Sequence, residues 1–202
     1  MESESIFKEQ VNESLLNLKA VLENKSLHES FNKMVDLIFN SLKNGGTLFV
    51  AGNGGSAADA QHLVAELVVK LNKNRDPIRA VALTVDTSII TAAGNDFSYD
   101  DIFSRQLEAL ARPNDVFLGI TTSGNSANII NAFDLARKLK VQTICLTGKE
   151  GGRSLKEGKA DLHVIMNGPN TARIQEGHEI LYHTLCWVLE KKLVDAQVIK
   201  YK

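Results

Sequence analysis

The sequence predicts an α/β protein in which helices flank a five-stranded parallel sheet and a helical extension precedes the sheet. From residue 47 onward, short apolar runs alternate with helical segments, which is the order typical of a doubly wound sheet. The runs are rich in Val, Ile, Leu and Phe and are apolar almost throughout, as strands buried on both faces are. The predicted strands cover residues 47–51, 78–84, 115–121, 141–147 and 161–167.

The predicted helices follow from apolar residues that recur at spacings of three to five. Two such stripes lie in residues 1–45, one from Ile6 to Leu22 and one from Phe31 to Leu42, and Gly45-Gly46 ends the second. We predict residues 1–45 to be helices for oligomer contacts and residues 46–202 to form one domain around the sheet. Further helices are expected at 56–70, about 87–94, 99–111, 126–138, 153–157 and 171–193.

The composition excludes several classes of protein. The 202 residues carry 23 Lys and Arg against 24 Asp and Glu, so no excess of positive charge attracts nucleic acid or an anionic membrane. Cys145 and Cys186 lie far apart in apolar surroundings, which indicates buried, reduced thiols. The sequence shows no signal-peptide pattern and no run of the ~18 apolar residues that a membrane span needs. We expect a cytoplasmic protein.

The first predicted strand leads into a glycine-rich loop, GNGGSAADAQH, at residues 52–62. Its glycines allow a tight turn and a close approach to a ligand, and Ser56 could cap the helix that follows. Gly52, Gly54 and Ala57 match the GxGxxG/A dinucleotide pattern, but the acidic residue expected at the end of the second strand is missing. A loop for a small ligand and a plain structural turn remain the alternatives, and no nucleotide cofactor is expected.

A second polar loop, TTSGNS at residues 121–126, follows the third predicted strand. Hydroxyls and free backbone N–H groups at a strand-to-helix junction can hold a phosphate group without any lysine. The alternative is a Ser/Thr-rich turn that caps the next helix. Because open parallel sheets bind ligands at the carboxyl ends of their strands, two polar loops at this edge favour a phosphate site.

Two predicted helices carry residues suited to proton transfer or metal binding. His62 and Glu66 are four residues apart and therefore share a helix face. The alternative for His62 and Glu66 is a surface pair without a function. The alternative for a histidine on the last predicted helix is a core residue whose hydrogen bonds are made within the protein. Asp86 is expected to cap a helix, and Asn95-Asp96 to form a turn and cap. The last helix carries Gln175, Glu176, His178, Glu179 and His183.

Together, the motifs GNGGSAADAQH, GNDFSYDDIFSRQ, DVFLGITTSGNSANI, ICLTGKEGG and TARIQEGHEILYH resemble the sugar isomerase (SIS) domain family and, within it, the phosphoheptose isomerases. The motifs occur in the family's order over nearly the whole chain. The resemblance implies a flavodoxin-like αβα sandwich, with residues 46–202 as a sugar-phosphate-binding SIS domain. It also implies a homotetramer, whose contacts the N-terminal helices build and whose active sites lie between subunits.

The resemblance also implies an activity: isomerisation of sedoheptulose 7-phosphate to D-glycero-D-manno-heptose 7-phosphate, the first step of bacterial heptose synthesis. By this resemblance Glu66 and His183 match the acid–base pair. The ligands of one zinc ion per subunit would be His62, Glu66, Gln175 and His183. The phosphate contacts would be Thr121, Thr122, Ser123 and Ser126. The other substrate contacts would be Asn53, Gly54, Gly55, Ser56, Glu66, Asn95, Asp96 and Gln175.

These residue types suit an isomerisation through an enediol. Moving a carbonyl between C2 and C1 needs a base at carbon and an acid at oxygen, which a carboxylate and an imidazole can supply. Zinc accepts imidazole and carboxylate ligands and could stabilise the enediolate. Some family members carry Asp three positions before the zinc-site Gln, but this chain has Ala172, so a proton relay through that Asp is in doubt here.

The spacing of two of the implied zinc ligands raises a geometric question. Gln175 and His183 are eight residues apart, which places them ~12 Å apart along a helix axis and rotates them by ~80°. Either one ion lies between them at full reach of both side chains, or the two residues serve sites to which different chains contribute. The second arrangement would make oligomerisation a condition of activity.

Two other functions remain open at this stage. One relative of this isomerase is a non-catalytic tetrameric scaffold that binds the replication initiator DnaA and lacks the acid–base pair. The presence of both Glu66 and His183 favours an enzyme over a scaffold. Because hydroxyl-lined phosphate loops do not specify sugar length or stereochemistry, an SIS isomerase for another sugar phosphate is the second alternative.

Overall fold

A computed structural model describes residues 2–202 and confirms a five-stranded parallel sheet between helices. The strands stand in the order β2-β1-β3-β4-β5, and every neighbouring pair is parallel. Because β1 pairs with β2 on one side and β3 on the other, the chain changes direction across the sheet at β1. The strands are β1 (Leu48–Gly52), β2 (Ala80–Ala82), β3 (Val116–Thr121), β4 (Gln142–Thr147) and β5 (Leu162–Ile165).

The second strand is shorter than the sequence predicts. The apolar run at 78–84 yields only the three residues of β2, which lies at the edge of the sheet and pairs with β1 alone. Ile78 and Leu83, which flank β2, are buried, whereas Val81 within it is exposed. The apolar residues at the two ends of this run therefore pack in the core without belonging to the strand.

The helices agree with the expected order, with one division. The predicted helix at 99–111 is a 3₁₀ turn at Tyr99–Asp101 followed by α5, because Ile102 and Phe103 between them turn into the core. The helices are α1 (Glu2–Glu23), α2 (Lys25–Lys43), α3 (Gly55–Val68), α4 (Thr87–Asp96), α5 (Ser104–Leu110), α6 (Ala127–Lys138), α7 (Gly152–Lys156) and α8 (Thr171–Asp195).

Two apolar clusters cover the two faces of the sheet. Alternate strand residues point to opposite faces, so Val50 joins one cluster and Phe49 the other. The first cluster includes buried residues of α2, α3 and α8, and the second includes residues of α4, α5 and α6. The helices α3 and α8 therefore lie side by side on the same face.

The two N-terminal helices differ in their packing. Helix α2 buries Met34, Val35, Ile38 and Leu42 in the first cluster, so its apolar stripe belongs to the core of the sheet. Helix α1 buries no residue, and Phe7 and Leu16 expose about two thirds of their surface. The division after residue 45 and the oligomer contacts of α1 stay predictions. Among residues 2–202, no helix combines the length and apolar character that a bilayer crossing requires.

Candidate active site

The two polar loops meet at the carboxyl edge of the sheet. Strands β1 and β3 are neighbours in register, with Gly52 opposite Ile120, so the loops that follow them start side by side. This is also the point where the connections from β1 and β3 depart in different directions, the usual ligand crevice of an open α/β sheet.

The glycine loop bends sharply into α3. Gly54 precedes the helix with φ +56°, a left-handed conformation that favours glycine, and offers no side chain to cap the helix. The expectation that Ser56 caps α3 is wrong, because the helix already begins at Gly55 and Ser56 is buried within it. No side chain caps α3; instead, the N–H groups of Ser56 and Ala57 donate to the carbonyls of Asn53 and Gly54, both at 3.0 Å.

Asn53 is held by two residues that sequence reasoning missed. Its side-chain amide exchanges two hydrogen bonds of 2.9 Å with the amide of buried Asn128, in the first turn of α6. The hydroxyl of Tyr99 donates to Asn53 Oδ1 at 3.1 Å. Asn128 follows the second polar loop by two residues, and this proximity is the signal that could have identified it. Tyr99 carries no comparable signal.

The loop at 121–126 (the phosphate loop) takes its shape from the start of α7. Gly124 has φ +68°, and a Cβ added to it would lie 2.0 Å from the carbonyl oxygen of Gly151. A Cβ on Gly152 would lie 2.2 Å from the carbonyl oxygen of Ser123. The N–H of Ser154 donates to the carbonyl of Gly124 at 2.9 Å. Only glycine allows the two segments to approach this closely.

The hydroxyls of the phosphate loop are not used to cap α6. Ser126 occupies the N-cap position, but its hydroxyl bonds to the hydroxyl of Thr121 at 3.0 Å and makes no cap hydrogen bond. Thr122 and Ser123 are partly exposed between them. The backbone N–H groups at the start of α6 are thus left for another acceptor, as an anion site requires. An open cavity of about 700 Å³ adjoins the loop at Ser123 and Asn125.

Asn95 and Asp96 close the last turn of α4 instead of starting a helix. Both are exposed, and the amide of Asn95 donates to Asp96 Oδ1 at 2.7 Å. They precede Tyr99, whose hydroxyl reaches Asn53, by four and three residues. Asp86 does cap α4, as expected, because its carboxylate accepts from the N–H of Ile89 at 2.9 Å.

The implied acid–base residues converge where α3 packs on α8. Nε2 of His62 lies 3.2 Å from Oε1 of Glu66 and 3.4 Å from Nε2 of His183. The side chain of Glu66 is 18% exposed and that of His62 is 43% exposed, so a small molecule can reach the group. Two helices whose residues stand 121 positions apart thus place a carboxylate and two imidazoles around one point.

Two of the three pairs among these donor atoms have a separation that suits a zinc ion, whereas the three residues whose ligand atoms all lie within 4.8 Å of one another are His62, Glu179 and His183. With bonds of about 2.0 to 2.1 Å and tetrahedral angles, neighbouring ligand atoms lie ~3.4 Å apart. The distances from His62 Nε2 to Glu66 and to His183 match that separation.

Gln175, the fourth implied zinc ligand, does not lie beside the other three. A Cβ on Gly55 would lie 2.2 Å from Gln175 Nε2, so the amide packs against the first residue of α3. His62 follows Gly55 by seven residues, which is ~10 Å along the helix. The chain therefore brings three of the four implied zinc ligands together and places the fourth beside the glycine loop.

A further group of side chains surrounds His62 on its other edge, which sequence reasoning did not assign to the site. The hydroxyl of Tyr182 lies 3.0 Å from His62 Nδ1, and a carboxylate oxygen of Glu179 lies 4.0 Å from it. The ligand atoms of His62, Glu179 and His183 all fall within 4.8 Å of one another. Glu179 precedes His183 by one helical turn, and that spacing could have identified it.

Asp59 completes this group from one turn before His62 on α3. Its Oδ2 is buried and has no hydrogen-bond partner. Burial and the nearby Glu179 raise the pKa of Asp59 to about 6, although His62 partly offsets them. Burial and the carboxylates of Asp59 and Glu179 also raise the pKa of Tyr182, so its phenol stays protonated at neutral pH.

His178 is a core histidine and not part of the site. It is fully buried, and its Nε2 must carry the proton because it lies 3.1 Å from the carbonyl oxygen of Thr147, which can only accept. Burial lowers the pKa of His178 to about 4. Of the two histidines considered on the last helix, only His183 faces the site.

Comparisons with known proteins identify the family of the chain. The SIS domain family matches residues 9–148. A phosphoheptose isomerase of Sulfurimonas denitrificans is 43% identical over 92% of this chain and 94% of its own length. The structure of the phosphoheptose isomerase GmhA from Neisseria gonorrhoeae superposes with a TM-score of 0.86 at 38% identity, covering 95% of this chain and 100% of that chain. That of a phosphoheptose isomerase from Francisella tularensis gives 0.88 at 33% identity with the same coverage. The chain belongs to the SIS domain family, among its phosphoheptose isomerases.

Proposed function

We propose that this protein is the aldose–ketose isomerase that converts sedoheptulose 7-phosphate to D-glycero-D-manno-heptose 7-phosphate, the first step of bacterial heptose synthesis. The curated relatives named phosphoheptose isomerase support this activity. The observation that carries it is the convergence of Glu66 and His183 around His62 Nε2, at 3.2 and 3.4 Å, on the face of two packed helices.

The phosphate loop would bind the phosphate group of the substrate. Thr121, Thr122, Ser123 and Ser126 supply hydroxyls, and the start of α6 supplies free N–H groups without a positively charged side chain. The sugar hydroxyls would meet Asn53 and the glycine loop, with Asn95, Asp96 and Gln175 at its borders. In this arrangement, binding of the phosphate group would orient the other end of the sugar toward the reacting groups.

Glu66 and His183 would perform the proton transfers. Interconversion of the ketose and the aldose removes a proton from one of the two reacting carbons, returns it to the other, and exchanges protons on their oxygens. A carboxylate and an imidazole on one face can serve carbon and oxygen respectively or in reverse, and such groups contribute 10²- to 10⁴-fold to rate. Their partial exposure leaves room for the substrate between them.

His62, Glu66 and His183 would hold a zinc ion, with Glu179 as a further carboxylate, since the ligand atoms of His62, Glu179 and His183 lie within 4.8 Å of one another. When bound, it would polarise the substrate carbonyl and stabilise negative charge on the enediolate oxygens. Gln175 packs beside Gly55, which lies about 10 Å along α3 from His62. It would therefore reach such an ion only from another copy of the chain or after a change of conformation.

We also propose a homotetramer with active sites between subunits. Helix α1 presents apolar side chains that its own chain leaves uncovered, among them Phe7, Leu15, Leu16 and Leu22. This number of large apolar side chains exposed on one helix favours an interaction site. The separation of Gln175 from His183 within one chain supports sites to which a neighbour contributes.

The test is incubation of the purified protein with sedoheptulose 7-phosphate, with and without a chelator, beside the variants Glu66→Gln and Glu108→Gln. We expect product from the wild type and from Glu108→Gln, whose carboxylate lies on the surface in a pair with Arg105. Glu66→Gln should keep the oligomer and lose turnover.

Each contrary outcome has a defined meaning. Normal turnover by Glu66→Gln would refute the assigned mechanism. Absence of turnover in the wild type would instead favour the non-catalytic scaffold, and faster conversion of a different ketose phosphate would keep the reaction type and replace the substrate. Chelator-resistant activity in protein shown to be metal-free would refute the zinc proposal alone.

A further inference from the structure

A buried ion pair joins the end of α3 to α8. Arg75 lies in the irregular segment after α3, and its side chain is fully buried. Its Nε donates to Oε2 of Glu190 on α8 at 2.9 Å, and the Glu190 side chain is 6% exposed. Glu190 follows His183 by seven residues, two turns of helix, so the two residues share a face of α8.

The same guanidinium group satisfies the end of α3. One terminal nitrogen donates to the backbone carbonyl of Glu66 at 2.8 Å, and the other donates to those of Leu67 and Asp76 at 2.8 and 2.9 Å. The last carbonyls of a helix have no partner within it, and a side chain that binds them fixes the last turn. Here that last turn carries Glu66, the carboxylate assigned to proton transfer.

Arg75 is itself held in place by a later part of the sequence. Arg75 and Tyr201 form an antiparallel bridge. The N–H of Asp76 donates to the carbonyl of Lys200 at 3.0 Å, and the N–H of Lys202 donates to that of Asn74 at 2.9 Å. The segment is therefore fixed by backbone bonds on its outer side and by the guanidinium on its inner side.

We propose that Arg75, with Glu190, is a positioning residue for the reaction, which sets the distance and orientation between Glu66 and His183. The inference rests on the proposed function. A planar guanidinium forms hydrogen bonds in fixed directions, so it can bind a helix end and a second helix together with one geometry. Stability alone gives little reason for this arrangement, because a buried ion pair is often no more stable than an apolar replacement.

The experiment compares Arg75→Lys and Glu190→Gln with the wild type and with Arg137→Lys. Arg137 is a matched control, since it also donates to two backbone carbonyls, those of Gly158 and Lys159, but lies far from α3 and α8 in an exposed position. The substitution Arg75→Lys keeps the positive charge but removes the planar guanidinium group that donates to several acceptors at once. We expect kcat of Arg75→Lys to fall at least tenfold, as a small displacement of a reacting group does, while KM changes less than twofold because the phosphate loop contacts neither residue.

Two further readouts separate positioning from stability. The pH profile of kcat should shift in Arg75→Lys, since the surroundings of Glu66 change, and kcat should stay low at a temperature where the variant is fully folded. A wild-type kcat, a rise in KM alone, or recovery of kcat on cooling would each overturn the proposal. If Arg75→Lys does not fold, Glu190→Gln is judged by the same criteria.

Binding of Co²⁺ to the metal-free protein tests the inference independently of the reaction. Donors held at 3.2 and 3.4 Å should bind Co²⁺, and Arg75→Lys should weaken that binding about tenfold, as loss of supporting contacts does. Unchanged affinity together with unchanged kcat would refute a positioning role. If the wild type converts no sugar phosphate, the proposed function fails while the Co²⁺ comparison still decides whether Arg75 orders these residues.

Discussion

The phosphate loop and the contact between α3 and α8 (the helix seam) are built in opposite ways. The loop depends on backbone geometry, where Gly124 and Gly152, 28 positions apart, permit the turn after β3 to approach the start of α7 closely. The seam depends on side chains from two helices, in which His62 and His183 are 121 residues apart. The phosphate loop can therefore be shaped within one strand–helix–strand unit and the turn that follows it, whereas the geometry of the helix seam needs the whole fold. Substitutions in each region should change different kinetic constants.

The largest effect should come from the seam. His183→Asn removes one of the two groups proposed to transfer protons and should lower kcat by 10²- to 10⁴-fold. Because the phosphate loop is untouched, KM should change by no more than a few fold. Steady-state kinetics of the purified variant measure both, with Glu108→Gln as the control, since Glu108 lies on the surface in a pair with Arg105. A large rise in KM would show that the two regions are not separable.

The phosphate loop should show the converse behaviour. Gly124→Ala places a Cβ against the carbonyl of Gly151 in a left-handed conformation, so the loop must shift. We expect KM for the sugar phosphate to rise about 10- to 100-fold with a much smaller loss of kcat. Gly94→Ala is the matched control, because nothing lies within 4 Å of its Cβ. Equal kinetics for both alanine variants would refute the backbone explanation of the loop.

Two tyrosine hydroxyls provide a sharper comparison. Tyr182 contacts His62 in the seam, and Tyr99 contacts Asn53 beside the loops. Tyr182→Phe should weaken zinc binding about tenfold, as loss of a contact that orients a metal-bound histidine does. Tyr99→Phe should leave metal affinity unchanged and raise KM a few fold. Competition with a chromophoric chelator and kinetics on both variants distinguish them, and identical behaviour would contradict the division.

The smallest effect is a pH dependence of stability that two buried groups nearly cancel. The pKa of His178 is lowered to about 4, so its contribution is present above pH 6.5 and is lost as the pH falls toward 4. The pKa of Asp59 is raised to about 6, so its contribution is present below pH 3.8 and is lost as the pH rises through 6. In the interval between pH 4 and 6, the two slopes oppose each other.

Asp59→Asn removes one of these slopes. The variant should lose stability more steeply than the wild type as the pH falls from 6.5 to 4, because the stabilisation that accompanies protonation of Asp59 is missing. Urea denaturation at several pH values measures the difference. Parallel curves for the two proteins would show that Asp59 titrates normally in the fold.

The same division explains how much could be predicted from the sequence. The order of strands and helices, the phosphate loop and the cap at Asp86 follow from local patterns, and the structure confirms the fold class. Ser56 was misassigned as a cap because a glycine with positive φ starts α3 one residue earlier, which depends on backbone conformation. The helix at 99–111 divides because Ile102 and Phe103 are needed in the core.

The seam shows where sequence reasoning ends. His62, Glu66 and His183 carry a family resemblance, but nothing local brings them together. Four other residues make their contacts only when α3 and α8 pack in a defined register: Tyr182, Glu179, Asp59 and Arg75. The position of Gln175 beside Gly55 depends on the same register of the two helices.

The hold on Arg75 by residues 200–202 has a consequence for the order in which the protein becomes functional. During synthesis the start of α7 follows the phosphate loop by 26 residues and precedes all of α8, so this loop can adopt its shape before α8 is made. His183, Glu190 and the residues that pair with the Arg75 segment are translated later. A nascent chain can thus fold the phosphate loop before the helix seam, with Glu66 and His183, is in place.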